Sequence, residues 1–259
     1  MLLMLRLLTA LIVATMPLAA QQAAKDYTGA ELIAAVKAAK PKGDIQIRAS
    51  LQQTGRPRLQ VQIKHHTAAN GERLQLHQVL FPKDRKGEGL LLRTSDGGLI
   101  GWSFKPGGQP MALKPTDRSM GVFGTDLLVE DVLGDFLNWR SHTLVRKENL
   151  GPVSCSVVES VAPPNATGSV RMVRSWIDDR RLVPQKVEML DATGKVNRTV
   201  TTQRVHRSST GYFVPTEFII TSASGSETKV SGSGVRDDLT FADADFSEAA
   251  LAGGVGSSD

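Results

Sequence analysis

From Ile45 onward, apolar residues fall on every second position of one short segment after another. Ile45, Ile47, Ala49 and Leu51 alternate with polar partners, and Leu59, Val61 and Ile63 do so again. Period two is the repeat of an extended strand, whose successive side chains point to opposite faces. The pattern continues through 73–81, 89–94, 99–104 and 111–114, where Ile100, Trp102 and Phe104 share a face. It resumes at 143–148, 152–161, 169–178, 182–190, 196–206, 213–222 and 227–236. Between the segments lie Gln-Thr-Gly-Arg-Pro (53–57), Lys-Asp-Arg-Lys-Gly (83–87), Ser-Asp-Gly-Gly (95–98), Pro-Gly-Gly (106–108) and Asp-Ala-Thr-Gly (191–194), all of them turn chemistry. Such a chain is mainly β. Its sheet is antiparallel, with one apolar and one wet face, and the many short strands argue a barrel or sandwich. No internal repeat or linker divides it, so a single domain is expected over 21–251.

Helical spacing is confined to a few places. Asp26–Ala39 reads as one amphipathic helix, with Thr28 and Glu31 at capping-box spacing and Leu32, Val36 and Ala39 on one face, stopped by Pro41 and Gly43. In Asp126–Leu137, Leu128, Val132 and Phe136 recur every four residues, with Thr125 or Asp126 as the cap and Glu130 and Asp131 near the positive end of the dipole. Ser247 can cap a last turn, with Phe246 and Leu251 at staple spacing, before a tail at 252–259 that is expected to fray.

The ends bound the compartment. Met1–Arg6 carries one positive charge, Leu7–Thr15 is apolar, and small residues precede Gln21, which is the layout of a secretory signal peptide over 1–20. The apolar run falls short of the ~20 residues that span a bilayer. The residue after the expected cut is Gln21, where a lipoprotein signal would place a cysteine, so the mature chain is expected to be soluble in the periplasm. The single cysteine, Cys155, rules out an internal disulfide and reads as a buried thiol in a strand. A net charge of +5, from 31 basic and 26 acidic residues spread along the chain, with 5% aromatics, argues against nucleic-acid binding.

No catalytic constellation is present: no His-Glu-x-x-His pair, no Gly-x-Ser-x-Gly elbow and no P-loop. His65 and His66 are adjacent in a strand and point to opposite faces, so they do not chelate one ion together. Asp178-Asp179 and Asp237-Asp238 meet the same objection as acid–base pairs, and Asp243-Ala-Asp245 lacks the glycine and distal glutamate of a calcium loop. Neither an enzyme, a metal site nor a cofactor is expected. The apolar strand faces admit two readings, an ordinary packed core or the lining of a cavity, and pattern alone favours the core.

Two segments change that balance. Gly121–Val132 (Gly-Val-Phe-Gly-Thr-Asp-Leu-Leu-Val-Glu-Asp-Val) and Ser175–Asp191 (Ser-Trp-Ile-Asp-Asp-Arg-Arg-Leu-Val-Pro-Gln-Lys-Val-Glu-Met-Leu-Asp) resemble the periplasmic outer-membrane lipoprotein-sorting, LolA-like family. There a Gly-Ser/Thr-Asp step opens a short helix and a Trp-x-Asp strand turns through Leu-Pro into Lys-Val-Glu. Gly151–Glu159, Gly211–Glu217 and Asp245–Leu251 resemble further family elements in the same order, so the likeness runs from about Gln75 to Leu251. Leu127-Leu128-Val129 departs from the aromatic and polar residues of the family pattern. The resemblance implies an incomplete antiparallel β-barrel, a half-barrel with helices covering its open concave side, that shelters acyl chains of lipoproteins or related lipids on the way to the outer membrane. It implies an inner-membrane transporter and an outer-membrane acceptor as partners, and a monomer is expected. The helices at 26–39 and 126–137 become candidate lids. Alternation then selects Ile45, Ile47, Val61, Ile63, Leu76, Trp102, Met111, Phe123, Leu128 and Val132 as candidate lining. A lipid-sensing regulatory protein and an accessory subunit of an envelope exporter are the alternatives.

Overall fold

A computed structural model describes residues 26–39, 43–95, 98–208 and 211–253. The leader expected at 1–20, Pro41 and all but the first two residues of the expected tail lie outside them. The strands are β1 (Asp44–Gln53), β2 (Leu59–Thr67), β3 (Arg73–Phe81), β4 (Gly89–Ser95), β5 (Gly98–Phe104) and β6 (Met111–Ala112). After a crossing segment come β7 (Ser141–Leu150), β8 (Val153–Val161), β9 (Met172–Asp178), β10 (Pro184–Leu190), β11 (Val196–Arg207), β12 (Phe213–Ser222) and β13 (Glu227–Leu239). All thirteen form one antiparallel sheet in the order β6-β5-β4-β3-β2-β1-β13-β12-β11-β10-β9-β8-β7, and it does not close into a barrel. Strands consecutive in the chain pair with one another except β6 and β7, and β13 returns beside β1, joining two meanders, with Leu51 opposite Val230 and Ala49 opposite Gly232.

That order has a geometric consequence. β6 and β7 are consecutive in the chain but stand at opposite edges of the sheet, so residues 113–140 must travel the whole width of it. They do so over one face. The sheet is also strongly curved, because residues of β3–β5 and of β9–β10 line one cavity although β4 and β9 are eight strands apart in the sheet order, roughly 38 Å at ~4.8 Å per strand. The crossing segment therefore lies in the hollow of a half-barrel.

Register assigns the two faces. Ile47 pairs with Ile63 and Ala49 with Val61, Val61 pairs with Val79, and Leu90 and Leu92 lie opposite His77 and Gln75. These side chains face the hollow, as do Val230, Ile220, Val200, Val187, Val173 and Val158 through the second meander. The other parity, with Leu74, Leu76, Leu91 and Phe104, faces outward and is covered by the C-terminal segment. There α3 (Glu248–Ala252) is capped by Ser247, whose hydroxyl accepts from Ala250 N, and Phe246 and Leu251 bury 99% or more of their surface against that outer face. Farther along the outer face, Cys155, Val157 and Trp176 pack together, and burial pushes the Cys155 thiol up to about 11, leaving it unreactive.

At the N-terminus, α1 (Gly29–Ala38) forms where the capping box places it: Thr28 accepts from Glu31 N and its own N–H donates to the Glu31 carboxylate at 2.8 Å. It lays Leu32, Ile33 and Val36 over Val158 and Ile177 on the hollow face of β8–β9. Burying three such side chains contributes roughly 1.5–3 kcal/mol each.

The tandem histidines divide as their parity requires. His65 faces the hollow with its ring centroid 6.2 Å from that of His77. His66 faces outward, where Nδ1 lies 2.6 Å from Asp44 and Nε2 2.9 Å from Asp243, while its ring stacks on Phe246 at 5.5 Å. Phe241 N donates to the same Asp44 carboxylate. His66 thus ties the C-terminal segment to the first strand pair. Burial opposes its charge, but the bonds to Asp44 and Asp243 prevail and raise its pKa above 6.5. A histidine raised in the folded state contributes stability that is complete below its unfolded pKa, near 6.5, and is lost as pH rises through the folded value. Wild type should therefore lose unfolding free energy from about pH 6.5 upward, relative to His66→Gln, in urea titrations at stepped pH. Parallel curves for the two proteins would show that the pair of carboxylates does not hold the proton.

Candidate functional site

The crossing segment does not form the single helix predicted over 126–137. Only Val129–Leu133 (α2) is α-helical; Gly134 takes a left-handed conformation (φ 59) and a 3-10 turn follows at Asp135–Asn138. The left-handed step breaks the helix there, and the apolar period survives across the break because both pieces lie on the same floor. Thr125 and Asp126 do not cap α2 either; Leu128 is its N-cap residue. Thr125 Oγ instead donates to Val122 O and accepts from Leu127 N. The Asp126 carboxylate accepts from Ser226 (3.0 Å), Thr228 (2.8 Å) and Gln53 (3.2 Å), pinning the segment to the β12–β13 turn and the end of β1. The Gly-Val-Phe-Gly-Thr-Asp motif thereby acquires a physical reason. A Cβ on Gly121 would meet Thr125 O at 2.2 Å, so only glycine permits this tight loop.

The segment then touches the floor in three steps. Phe123 and Leu127 pack on Leu51, Leu59, Val61 and Val79 together with Ile220 and Val230. Val122, Val129 and Leu133 pack on Leu90 and Leu92. Phe136 and Trp139 pack on Val173, Val187 and Met189. Phe123 is itself held at φ 53, a conformation that costs a side-chain-bearing residue about 1–3 kcal/mol. Lys37 of α1 donates to Asn138 at 2.9 Å, so the two covering elements meet over the hollow.

Beneath α2 lies a buried ion cluster. Arg198 of β11 points into the hollow and grips Asp131 with both Nε (3.1 Å) and Nη2 (2.8 Å), and Nη2 also reaches Glu130 at 2.9 Å. The three side chains are 7%, 5% and 7% exposed. Burial drives the Asp131 carboxyl upward, against the pull of Arg198 and of the Leu128 N–H that caps on it. Glu130 further accepts from Ser169 Oγ at 2.7 Å, in the loop between β8 and β9. Nearby, Asp135 pairs with Arg118, and more loosely with Arg73 at 3.8 Å. Ionic and hydrogen-bonding contacts thus tether the cover to both wings of the sheet.

Beside this cover a cavity of about 650 Å³ opens between the wings. Its lining mixes polar side chains (Arg73, Arg118, Glu130, Asp131 and Asp135) with apolar ones (Leu99, Phe136, Trp139, Val170, Val173 and Met189). His77, fully buried on the floor, is pushed down to about 3 by burial and then by His65, and stays neutral across the physiological range.

Of the sequence-selected lining residues, Ile47, Val61 and Ile63 converge on the hollow and Phe123 meets them from the cover. Ile45 shares their parity, opposite His65. Val132 packs under the cover near Leu90 and Leu92. Leu128 is half-buried and bridges to Gly121. Met111 sits on the edge strand β6, opposite Ser103 and 63% exposed. Leu76 and Trp102 do not join the others: both lie on the outer face, in the cluster covered by Phe246 and Leu251. Alternation within a strand marks two faces but not which one faces inward. Arg198 was missed, though it shares parity with Val200 on an apolar face, an anomaly that marks a buried charge. No group of three or more metal-ligating side chains occurs among the described residues.

A family model described as that of an uncharacterized protein matches residues 71–253. The chain belongs to that family. Its architecture is LolA-like. A DUF1329 family protein from Desulfovibrio piger superposes with a TM-score of 0.80 at 18% identity, covering 86% of this chain and 97% of that one. A putative outer membrane lipoprotein-sorting protein domain from Vibrio parahaemolyticus gives 0.78 at 18% identity over 86% and 98%. A LolA superfamily protein from Nitrosomonas europaea gives 0.63 at 18% identity over 86% and 98%. A search of curated sequences finds no match. In the LolA-like frame of this chain, α1 and the crossing segment are the elements that cover the open side.

Proposed function

We propose that this protein is a periplasmic carrier that shelters acyl chains of lipoproteins or related lipids in its hollow and passes them towards the outer membrane. One observation carries the reading. The apolar floor of the hollow is covered by a thin crossing segment fastened through side chains, rather than by a second sheet. A cover held by side-chain contacts can lift without unpairing the sheet, which an acyl-chain site requires. The reading assigns Ile45, Ile47, Val61 and Ile63 to the floor and Phe123, Leu128 and Val132 to the underside of the cover. A cavity of about 650 Å³ falls in the ~300–1,000 Å³ class of single small-ligand pockets. Several acyl chains therefore require the cover to lift, with Arg198 as the fastening that yields. The physical need is large: each methylene exposed to water costs ~0.8 kcal/mol, and a lipoprotein carries several tens of them. Exchange partners at the inner and outer membranes belong to the same reading, with no chemistry performed on the cargo.

Native mass spectrometry of protein isolated from periplasm, followed by lipid extraction, tests it together with a transfer assay between donor vesicles bearing a fluorescent acylated peptide and empty acceptors. Stoichiometric acylated cargo and protein-dependent transfer are expected. Binding without transfer would favour the sensing role, and protein that neither holds nor moves lipid would remove the carrier reading.

A further inference from the structure

Three turns stand at one end of the first meander: 54–58 between β1 and β2, 82–88 between β3 and β4, and 105–110 between β5 and β6. In an antiparallel meander alternate turns share an end, and contacts here confirm it. Arg56 Nη1 donates to Gly124 O at 2.7 Å and Arg85 Nη2 to Phe123 O at 3.1 Å, so the first two turns hold adjacent carbonyls. A Cβ on Gly87 would touch the Pro106 ring at 3.4 Å, which places the third turn against the second.

Together the turns hold six cations and two carboxylates, in a chain that has 31 and 26 overall. That is a net charge of +4 within the three turns, with the carboxylates of Asp126 and Glu227 lying to one side of them, near Gln53 and Thr54. Arg85 and Glu88 neutralise each other at 2.5 Å. Arg56, Arg58, Lys83, Lys86 and Lys105 are exposed, and no ion pair joins them to a carboxylate among the described residues. Among them stands Phe81, the last residue of β3, opposite Gln60 and 54% exposed.

We propose that this end of the sheet docks on an anionic lipid bilayer. A bilayer demands no fixed geometry of its partner, only positive charge around an apolar tip, and these turns present both. Lysine and arginine near an anionic surface gain from its negative potential, their aliphatic stems lie along the interface, and a phenylalanine ring enters the headgroup boundary. The docking surface lies outside the hollow, and its existence does not depend on the acyl-carrier reading.

Co-sedimentation with phosphatidylcholine vesicles, with and without phosphatidylglycerol, tests the surface in the absence of any acylated cargo. Wild-type protein should prefer the anionic vesicles and release from them as salt is raised. Lys83→Glu/Lys86→Glu, carrying the same N-terminus, should bind them at least roughly tenfold more weakly. Phe81→Ser should weaken binding at unchanged charge. Thermal unfolding checks each variant, and Arg58→Glu/Lys105→Glu replaces any that fails to fold. Equal binding to both vesicle types, or partitioning unmoved by the substitutions, would overturn the proposal. Salt-sensitive capture of a polyglutamate peptide without preference for anionic vesicles would also overturn it, assigning the surface to an acidic protein. A failed transfer assay with intact anionic-vesicle binding would count against the carrier reading alone.

Discussion

Replacing Arg198 with alanine is expected to lower the unfolding free energy by about 3–5 kcal/mol, because it strands charge rather than merely deleting a contact. Glu130 and Asp131 would remain on the buried side of α2, 7% and 5% exposed, with their shared guanidinium gone. One carboxyl can then take a proton, and Asp131, already pushed upward by burial, is the group disposed to do so. The alternative is for α2 to lift and let both reach water. Either way the cover loses the tether that joins it to β11. Urea titration measures the stability, and hydrogen exchange over 120–139 reports whether the cover opens before the sheet unfolds. Arg198→Met combined with Glu130→Gln and Asp131→Leu separates charge from fit: removing all three charges should recover most of the loss. If the single substitution costs under about 1 kcal/mol, the range of an exposed pair, the cluster is solvated and does not fasten the cover.

Phe246→Ala should produce a loss of similar size on the other side of the sheet. The ring is 1% exposed and packs on the outer face with Leu74, Leu76, Leu91 and Phe104. Phe241 meets its edge at 5.7 Å. Truncating such a side chain costs about 3–5 kcal/mol from lost transfer energy and the cavity left behind. The stacking with His66 would be lost as well, and with it part of the docking of residues 241–252. Chemical denaturation gives the magnitude, and limited proteolysis shows whether the C-terminal segment detaches. The pair of substitutions also distinguishes the faces. If acyl chains enter the hollow, Arg198→Ala alters lipid uptake at temperatures where Phe246→Ala, though comparably destabilised, does not. Equal effects on uptake would mean that stability alone governs it.

Strand positions were legible because each is a local property. A period of two, bounded by glycine- and proline-rich turns, located every strand to within a few residues; β3 and β12 match their predicted spans end to end. The one large misreading, a continuous helix over 126–137, arose because apolar spacing records which side chains face a common floor, whether or not the backbone between them stays helical. Gly134, left-handed at φ 59, is the local signal of the break. Leu76 and Trp102 show a different limit. Their alternation is as regular as that of Val61 and Ile63, yet they lie on the other face, because a two-sided sheet with a cover on each side has apolar residues at both parities.

The sequence by itself determined the strands, the capping of α1, the divergence of His65 and His66 to opposite faces, and the need for glycine at 121. Each rests on a backbone period, a side chain bonding within three residues, or a steric requirement at a single position. Tertiary structure alone decided the return of β13 beside β1, the placing of β6 and β7 at opposite edges, and therefore the passage of residues 113–140 through the hollow. It also brought Arg198 to Glu130 and Asp131 across some seventy residues of chain. Pairing of distant strands depends on the total burial of both faces, which no local window contains. The cover is where it is because the chain had to cross the sheet, and the curved apolar face offered the route that removes most hydrocarbon from water.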